Sequence, residues 1–432
     1  MHLETLGHAS LALGTRGQAP LLLTDPWLTG SCYWRAWWLE NAPSPDTVKR
    51  VGSARYCYVT HEHPDHFHTD TIRALGKGPA YLTPTFLEDH IGTHLRGEGH
   101  SCTAVPPNAP FDLGDGVSIR SIPCFGDDSI LVIETPEALI VNLNDARPSP
   151  AQFLGLRRLV RKQARGRLKV ALCSYSSAGI ANSCFRRGRR LQLVSKQTYV
   201  RYASSLCGQL GIDVFMPFAS QAVFRRRDNR WANDFRVRWD DLERFWSAPA
   251  TSLLPPYSTL DLATGTRTSV DPASYHRDEA AIEAQVAAQH DLEARCEFTD
   301  ADVRALEAKL RSSGRRALAL VCPRGLGFDL GDVQLTYRPW QGRIERGEAR
   351  GSIVLGLPKQ ALKDAVASGF MADLCIPMFT EVRVDALTDP RAAVALFMLL
   401  LLNDVGATRD RATSFAWLRQ TAALELAALR LG

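Results

Sequence analysis

Short apolar runs alternate with turn residues through the first 150 positions of the chain. "SLALGT", "PLLLTDPW", "ARYCYVTH", "GVSIRSI", "SILVIET" and "ALIVNLND" are each bounded by glycine, proline, aspartate or threonine, and each predicts a strand. Between them "HTDTIRALGKG" and "PTFLEDHIGTHLRGE" predict short helices, and residues 149 to 167 predict a longer amphipathic helix before the strand "LKVALCSYS". Strands with helices set between them indicate a layered α/β domain, drawn here as residues 1–252. "LLPPYSTLDLATGTRT" (253–268) reads as a linker, and a helical segment with a charged face follows, so residues 253–300 form a linker and helical segment. A smaller C-terminal α/β accessory region fills 301–432 and is expected to cover the active site or to mediate dimerisation. "AAVALFMLLLL" (392–402) is too short to span a bilayer and predicts a buried helix.

Composition narrows the picture. The 432 residues are 45 % apolar, enough for large cores, and glycine (31) and proline (24) are near average, so no part is collagen-like. The ten cysteines are scattered without a C-x-x-C pair, the pattern of reduced thiols. "MHLETLGHASLAL" has neither a basic n-region nor a cleavable apolar core, which adds to the expectation of a cytoplasmic protein with no membrane partner. The net charge of +5 suits a small anionic substrate. "RRLVRKQARGR" puts its basic residues on the polar face of a helix, which speaks against a nucleic-acid partner.

Residues 61 to 68 read "HEHPDHFH", directly after the strand-like "RYCYV", in a chain with 11 histidines in all. A loop leaving a strand can bring His61 and His63 to one ion. The next turn can aim Asp65 and His66 at a second. Imidazoles with carboxylates suit zinc, iron, manganese or nickel. His68 reads as a supporting or surface group, and His90, His94 and His100 read as surface groups.

H-x-H-x-D-H after a strand resembles the signature of the metallo-β-lactamase fold. "LGHASLAL" followed by "LLLTDPWL" is similar to the opening strands of its branch containing ascorbate-phosphate lactonase and N-acyl-phosphatidylethanolamine phospholipase. Over about residues 1 to 150 the resemblance implies an αββα sandwich with a dinuclear site at one edge. His8 and Asp25 belong to those openings, with Asp25 shaping the site rather than binding metal. Hydrolases of this fold use further histidines, yet none occurs here between His100 and His276. Where the fold expects them, "PCFGDDSILVIE" offers Asp127 and Asp128, with Asp128 the better placed, and "LIVNLNDARPS" offers Asp145 as a bridging carboxylate.

The resemblance therefore implies His61, His63 and Asp128 on one metal, Asp65 and His66 on the other, and Asp145 between them. Three carboxylates make a hard site that favours two iron ions, with zinc or manganese as alternatives. This resembles the diiron β-hydroxylases of nonribosomal peptide biosynthesis. "DDSILVIE", "NLNDA", "CSYSSAGIANSCF" and "GIDVFMPFAS" are similar to the metallo-β-lactamase-like part of CMP-N-acetylneuraminate hydroxylase. Those enzymes carry a Rieske domain. No Rieske ligand pattern occurs here, so a separate electron-donor protein is expected.

These features lead to an O2-dependent oxygenase acting on a small, polar, anionic substrate. The alternative is hydrolysis of a phosphoester, lactone or thioester, with Asp65 orienting a hydroxide. Tyr175, Arg147 and Trp34 are the candidate substrate-binding residues. Tyr175 lies in the segment 174–185, and Trp34 lies in the aromatic "CYWRAWW". Cys184 is not expected to act as a nucleophile, and a homodimer is a candidate assembly.

Overall fold

The computed structural model describes residues 1–176, 179–269 and 278–431. An eight-stranded sheet runs, in spatial order, through Arg267–Ser269, Ser258–Asp261, His2–Leu6, Ser10–Gly14, Leu22–Thr24, Tyr56–Tyr58, Ala80–Thr83 and Cys102–Ala104. A seven-stranded sheet runs through Ser252–Leu253, Val214–Phe218, Leu168–Ser174, Ala138–Asn144, Asp128–Glu134, Val117–Cys124 and Pro110–Gly114. The two sheets face each other. Leu11, Leu13 and Leu22 of the first pack with Ile133, Ile140 and Leu172 of the second in one core cluster.

Alternation decides the outer faces. Leu139 and Val141 flank Ile140 and point the other way, onto the helices Pro150–Ala164 and Lys196–Leu210. Leu23 and Cys57 of the first sheet likewise meet the helices Pro45–Gly52, Thr69–Leu75 and His90–Gly97 through Val51, Ile72, Ile91 and Leu95. The result is an αββα sandwich. The helix Pro150–Ala164 begins where its sequence says it should, with Pro150 in the first turn and Ser149 and Gln152 forming a reciprocal capping box.

Four elements differ from the sequence reading. Residues 253–268 are not a plain linker. Ser258–Asp261 pairs antiparallel with the N-terminal strand, and Arg267–Ser269 pairs in turn with it. The short strands and the Asp261 turn between them resemble loop in composition, and only the unpaired edge of the first strand makes them extended. "PTFLEDHIGTHLRGE" is helical only over His90–Gly97, because Asp89 caps at that point. The charged helical segment is two helices, Glu279–Arg295 and Asp300–Ser312, the second started by a Thr299–Asp302 capping box. His100 is buried, not a surface group, with its ring 5.0 Å from Tyr81.

A third sheet, of seven strands, joins Cys184–Arg186 and Arg189–Leu191 to strands between Leu326 and Val384. The apolar run near 392–402 lies in the helix Arg391–Asp404, which buries Leu396 and Leu400 and leaves Val394 exposed. Among the described residues no helix is long and apolar enough to cross a membrane.

Candidate metal centre

The strands Leu22–Thr24, Tyr56–Tyr58 and Ala80–Thr83 are parallel neighbours, so their C-terminal ends share one edge of the sandwich. The strand Tyr56–Tyr58 runs into Thr60 and the histidine loop. From the facing sheet, Asp128–Glu134 starts and Ala138–Asn144 ends at the same edge.

Asp25 organises the loop. Its Oδ1 accepts from Thr60 N at 2.7 Å, and the Thr60 hydroxyl lies 2.9 Å from Oδ2 and 3.0 Å from His61 Nδ1. Asp25 Oδ2 also lies 3.2 Å from His66 Nδ1. A carboxylate there fixes the proton on Nδ1 and leaves Nε2 as a lone-pair donor. His66 Nε2 is buried, has no hydrogen-bond partner, and lies 3.4 Å from Asp145 Oδ2 and 3.7 Å from Asp65 Oδ2. His61 Nε2 is likewise buried and unpartnered, while Nδ1 lies 3.4 Å from Asp128 Oδ1.

Two donor groups result. His8, Asp65 and His66 each offer a donor atom, all within 4.8 Å of one another, and so do His61, His66 and Asp145. Other histidines, His100 among them, also have a buried ring nitrogen without a partner, but these two lie among the carboxylates Asp65, Asp128 and Asp145, and so fit a pair of metal ions. The groups overlap at His66, whose one free nitrogen, Nε2, can serve one ion, and Asp145, the expected bridging carboxylate, lies 3.4 Å from it. His63 stacks edge-on to His61 at 4.6 Å and lies outside both groups, as does Asp128.

Burial and neighbouring charges push the groups of the site in opposite directions. Burial lowers His61 well below the usual imidazole range, and His66 and His63 lower it further. Burial also opposes the charge on His66, but Asp65 and Asp25 outweigh it and raise the group. Asp128 is raised well above the carboxylate range by burial and then by Asp145. A bound cation inverts that balance and favours the carboxylate.

His8 and Tyr33 are the site residues that sequence reasoning undervalued. His8 Nε2 lies 3.2 Å from Asp65 Oδ2. Gly7 makes this approach possible: its φ is +54°, and a Cβ there would sit 2.5 Å from the Trp27 carbonyl oxygen. Tyr33 donates to Asp65 Oδ1 at 2.7 Å, so only Oδ2 faces the histidines. The signal for His8 was its place in "LGHASLAL", and that for Tyr33 its place in the aromatic "CYWRAWW", where Trp34 was chosen instead.

The other candidates are placed elsewhere. Trp34 does not reach the cluster. Its Nε1 donates to Asp364 at 2.8 Å and its ring meets Phe379. Arg147 lies over the Tyr202 ring and reaches Ser174 Oγ at 3.2 Å. Tyr175 is buried, with its hydroxyl 3.5 Å from Gln221 Nε2. Asp127 adopts a left-handed conformation and lines a separate recess with Phe86 and His90. Cys184 is buried and its thiol is pushed up to about 12 by burial, which removes it as a nucleophile. His68 caps the helix Thr69–Leu75. Ser177 and Ala178 of the 174–185 segment lie outside the described residues.

No family model matches the chain. Among curated proteins it is 36 % identical over 271 residues to the cytidine monophosphate-N-acetylneuraminic acid hydroxylase of Xenopus laevis, covering 58 % of this chain and 44 % of that one. The same-named protein of Cricetulus griseus is 36 % identical over 237 residues, covering 51 % and 40 %. A Rieske-named 2Fe-2S iron–sulfur protein of Mycobacterium tuberculosis is 27 % identical over 255 residues, covering 54 % and 46 %. The chain spans less than half the length of these curated relatives. Among solved structures, CmlA β-hydroxylase aligns at TM-score 0.38 with 19 % identity, covering 50 % of this chain and 45 % of that one. A metallo hydrolase of Ignicoccus hospitalis aligns at 0.39 with 13 % identity, covering 62 % and 99 %.

Proposed function

We propose that the chain holds a dinuclear, iron-containing centre and catalyses O2-dependent hydroxylation of a small anionic molecule. The observation that carries this reading is the pair of donor groups that share His66, with His61 Nε2 and His66 Nε2 buried and unpartnered. Asp65 and His66, through Nε2, would hold one ion with His8 beside them, and His61 and Asp145 would hold the other, with His63 and Asp128 beside it. The hydroxylase names of the curated relatives support the reaction class, and the carboxylates support iron.

When bound, the metals would supply the redox chemistry with O2. The protein's part is positional. Asp25 holds the His66 tautomer, Tyr33 holds Asp65, and Trp37 and Phe224 give the adjoining recess an apolar side. Electrons would come from a separate donor protein.

The test is elemental analysis and Mössbauer spectroscopy of anaerobically purified protein. Two irons per chain, O2 uptake by the reduced protein and none by the zinc-loaded form are expected. A zinc form that hydrolyses a phosphoester, lactone or thioester under strict anaerobiosis, with oxygen from water in the product, would replace this reading with the hydrolase.

A further inference from the structure

A narrow recess opens beside the metal centre and takes one wall from each donor group, His8 from one and Asp145 from the other. Trp37 and Phe224 form an apolar side, and Arg236, Ser176 and Ser220 form a polar one.

Arg236 is the one cationic side chain among the residues that line this recess. Its Nη2 donates to Glu40 Oε2 at 2.7 Å, which fixes the plane of the guanidinium. Its Nε has no acceptor, and none of the described residues accepts from Nη1. The two serines are committed as acceptors. Ser220 Oγ takes the backbone N–H groups of Tyr175 and Ser176 at 3.0 and 3.2 Å, and Ser176 Oγ takes that of Val237 at 2.8 Å. Accepting leaves each hydroxyl its own proton to donate. The left-handed Ala219, whose N–H donates to the His8 carbonyl at 3.0 Å, ties this serine turn to the metal-binding loop.

We propose that this wall is an oxyanion subsite: Arg236, Ser176 and Ser220 hold a carboxylate or phosphate group of the substrate, whose apolar portion lies along Trp37 and Phe224 toward His8 and Asp145. The proposal rests on the metal-centre reading above and gives it a substrate class, a small acid with its anionic group at one end and its reacting carbon at the other. A fixed guanidinium with free N–H groups beside two hydroxyl donors gives charge-assisted, directional recognition. Glu40 sets the geometry and offsets part of the charge, so selection favours a single anionic group.

The test is a titration of the metal-loaded full chain with acetate and, separately, with inorganic phosphate, at constant ionic strength. Binding is followed by tryptophan fluorescence, and metal content is measured on the same samples. Wild-type protein should bind at least one anion, and Arg236→Gln should weaken that binding tenfold or more at unchanged metal content. Arg236→Lys should fall between the two, because it keeps the charge and loses the fork. A stronger phosphate response identifies a phosphate ester, and a stronger acetate response a carboxylic acid. Equal affinity in wild type and both variants, or no binding to wild type, overturns the subsite. Should Arg236→Gln not fold, Ser220→Ala is read instead, with a severalfold loss expected and no loss refuting. A wild-type protein that loads no metal tells against the metal-centre reading, and that result is seen before any anion is added.

Discussion

At the residue scale, His61 and His66 make the same demand on the site, because each offers one free nitrogen, Nε2, to one ion. His61→Ala and His66→Ala should therefore each lose about half the wild-type metal or more, by elemental analysis at unchanged circular dichroism. Full metal content in either variant would show that the donors are not arranged as described. The cysteines give a second expectation. Nine of the ten are buried and only Cys102 is partly exposed. Burial raises the thiols, Cys173 and Cys184 to about 12, so the reactive thiolate is scarce near neutral pH. Intact-mass analysis after brief alkylation of native protein should show at most one label, on Cys102. Rapid labelling of several thiols would contradict the packing.

At the scale of an element, the turn from Tyr33 to Arg35 matters most. Three consecutive non-glycine residues there have φ of 52°, 54° and 61°. Each such residue costs roughly 1 kcal/mol or more, so outside contacts must hold the turn. Arg226 donates to the Trp34 carbonyl at 2.9 Å, Asp364 accepts from the Trp34 indole, and Gln285 accepts from Arg35 at 2.7 Å. What the turn delivers is the Tyr33 hydroxyl on Asp65. Tyr33→Phe removes that bond and nothing bulky. By analogy with other supports of metal ligands, it should weaken metal retention about tenfold or more. The measurement is competition with a chelator, and thermal stability should change little. Retention equal to wild type would reduce Tyr33 to a packing residue.

At the scale of the whole molecule, Arg226 joins parts that are distant in sequence. Its side chain is fully buried, pairs with Asp228 at 2.8 Å and with Glu293 of the helix Glu279–Arg295 at 2.6 Å, and lies over the Phe379 ring at 4.6 Å. It thus connects the turn of the metal centre with the elements that follow the sandwich. Arg226→Ala strands the mostly buried Glu293 carboxylate, and breaking such a pair costs about 3–5 kcal/mol. Chemical denaturation should show a loss of that order, accompanied by weaker metal retention through the loosened turn. A variant as stable as wild type would mean that these parts are joined by other contacts.

The sandwich was legible where the physics is local. Alternate facing along "ALIVNLND" sends Ile140 to one face and Leu139 and Val141 to the other, and Ser149, Pro150 and Gln152 carry the local capping signal that starts the helix Pro150–Ala164. The histidine loop was legible for the same reason, because donors two to five residues apart after a strand must lie close together. Tertiary structure decided what depends on contacts across the chain. Ser258–Asp261 is extended because the N-terminal strand had an edge to pair, Arg267–Ser269 pairs with it in turn, and His8 reaches Asp65 because Gly7 tolerates the Trp27 carbonyl. Tyr33 rather than Trp34 meets the site because a left-handed turn, held by residues some 190 to 330 positions away, rotates one aromatic inward and its neighbour outward. Periodicity and spacing report short-range geometry, but which side chains complete a buried polar site is set by sheet register and chain crossing, and these appear only once the whole molecule has folded.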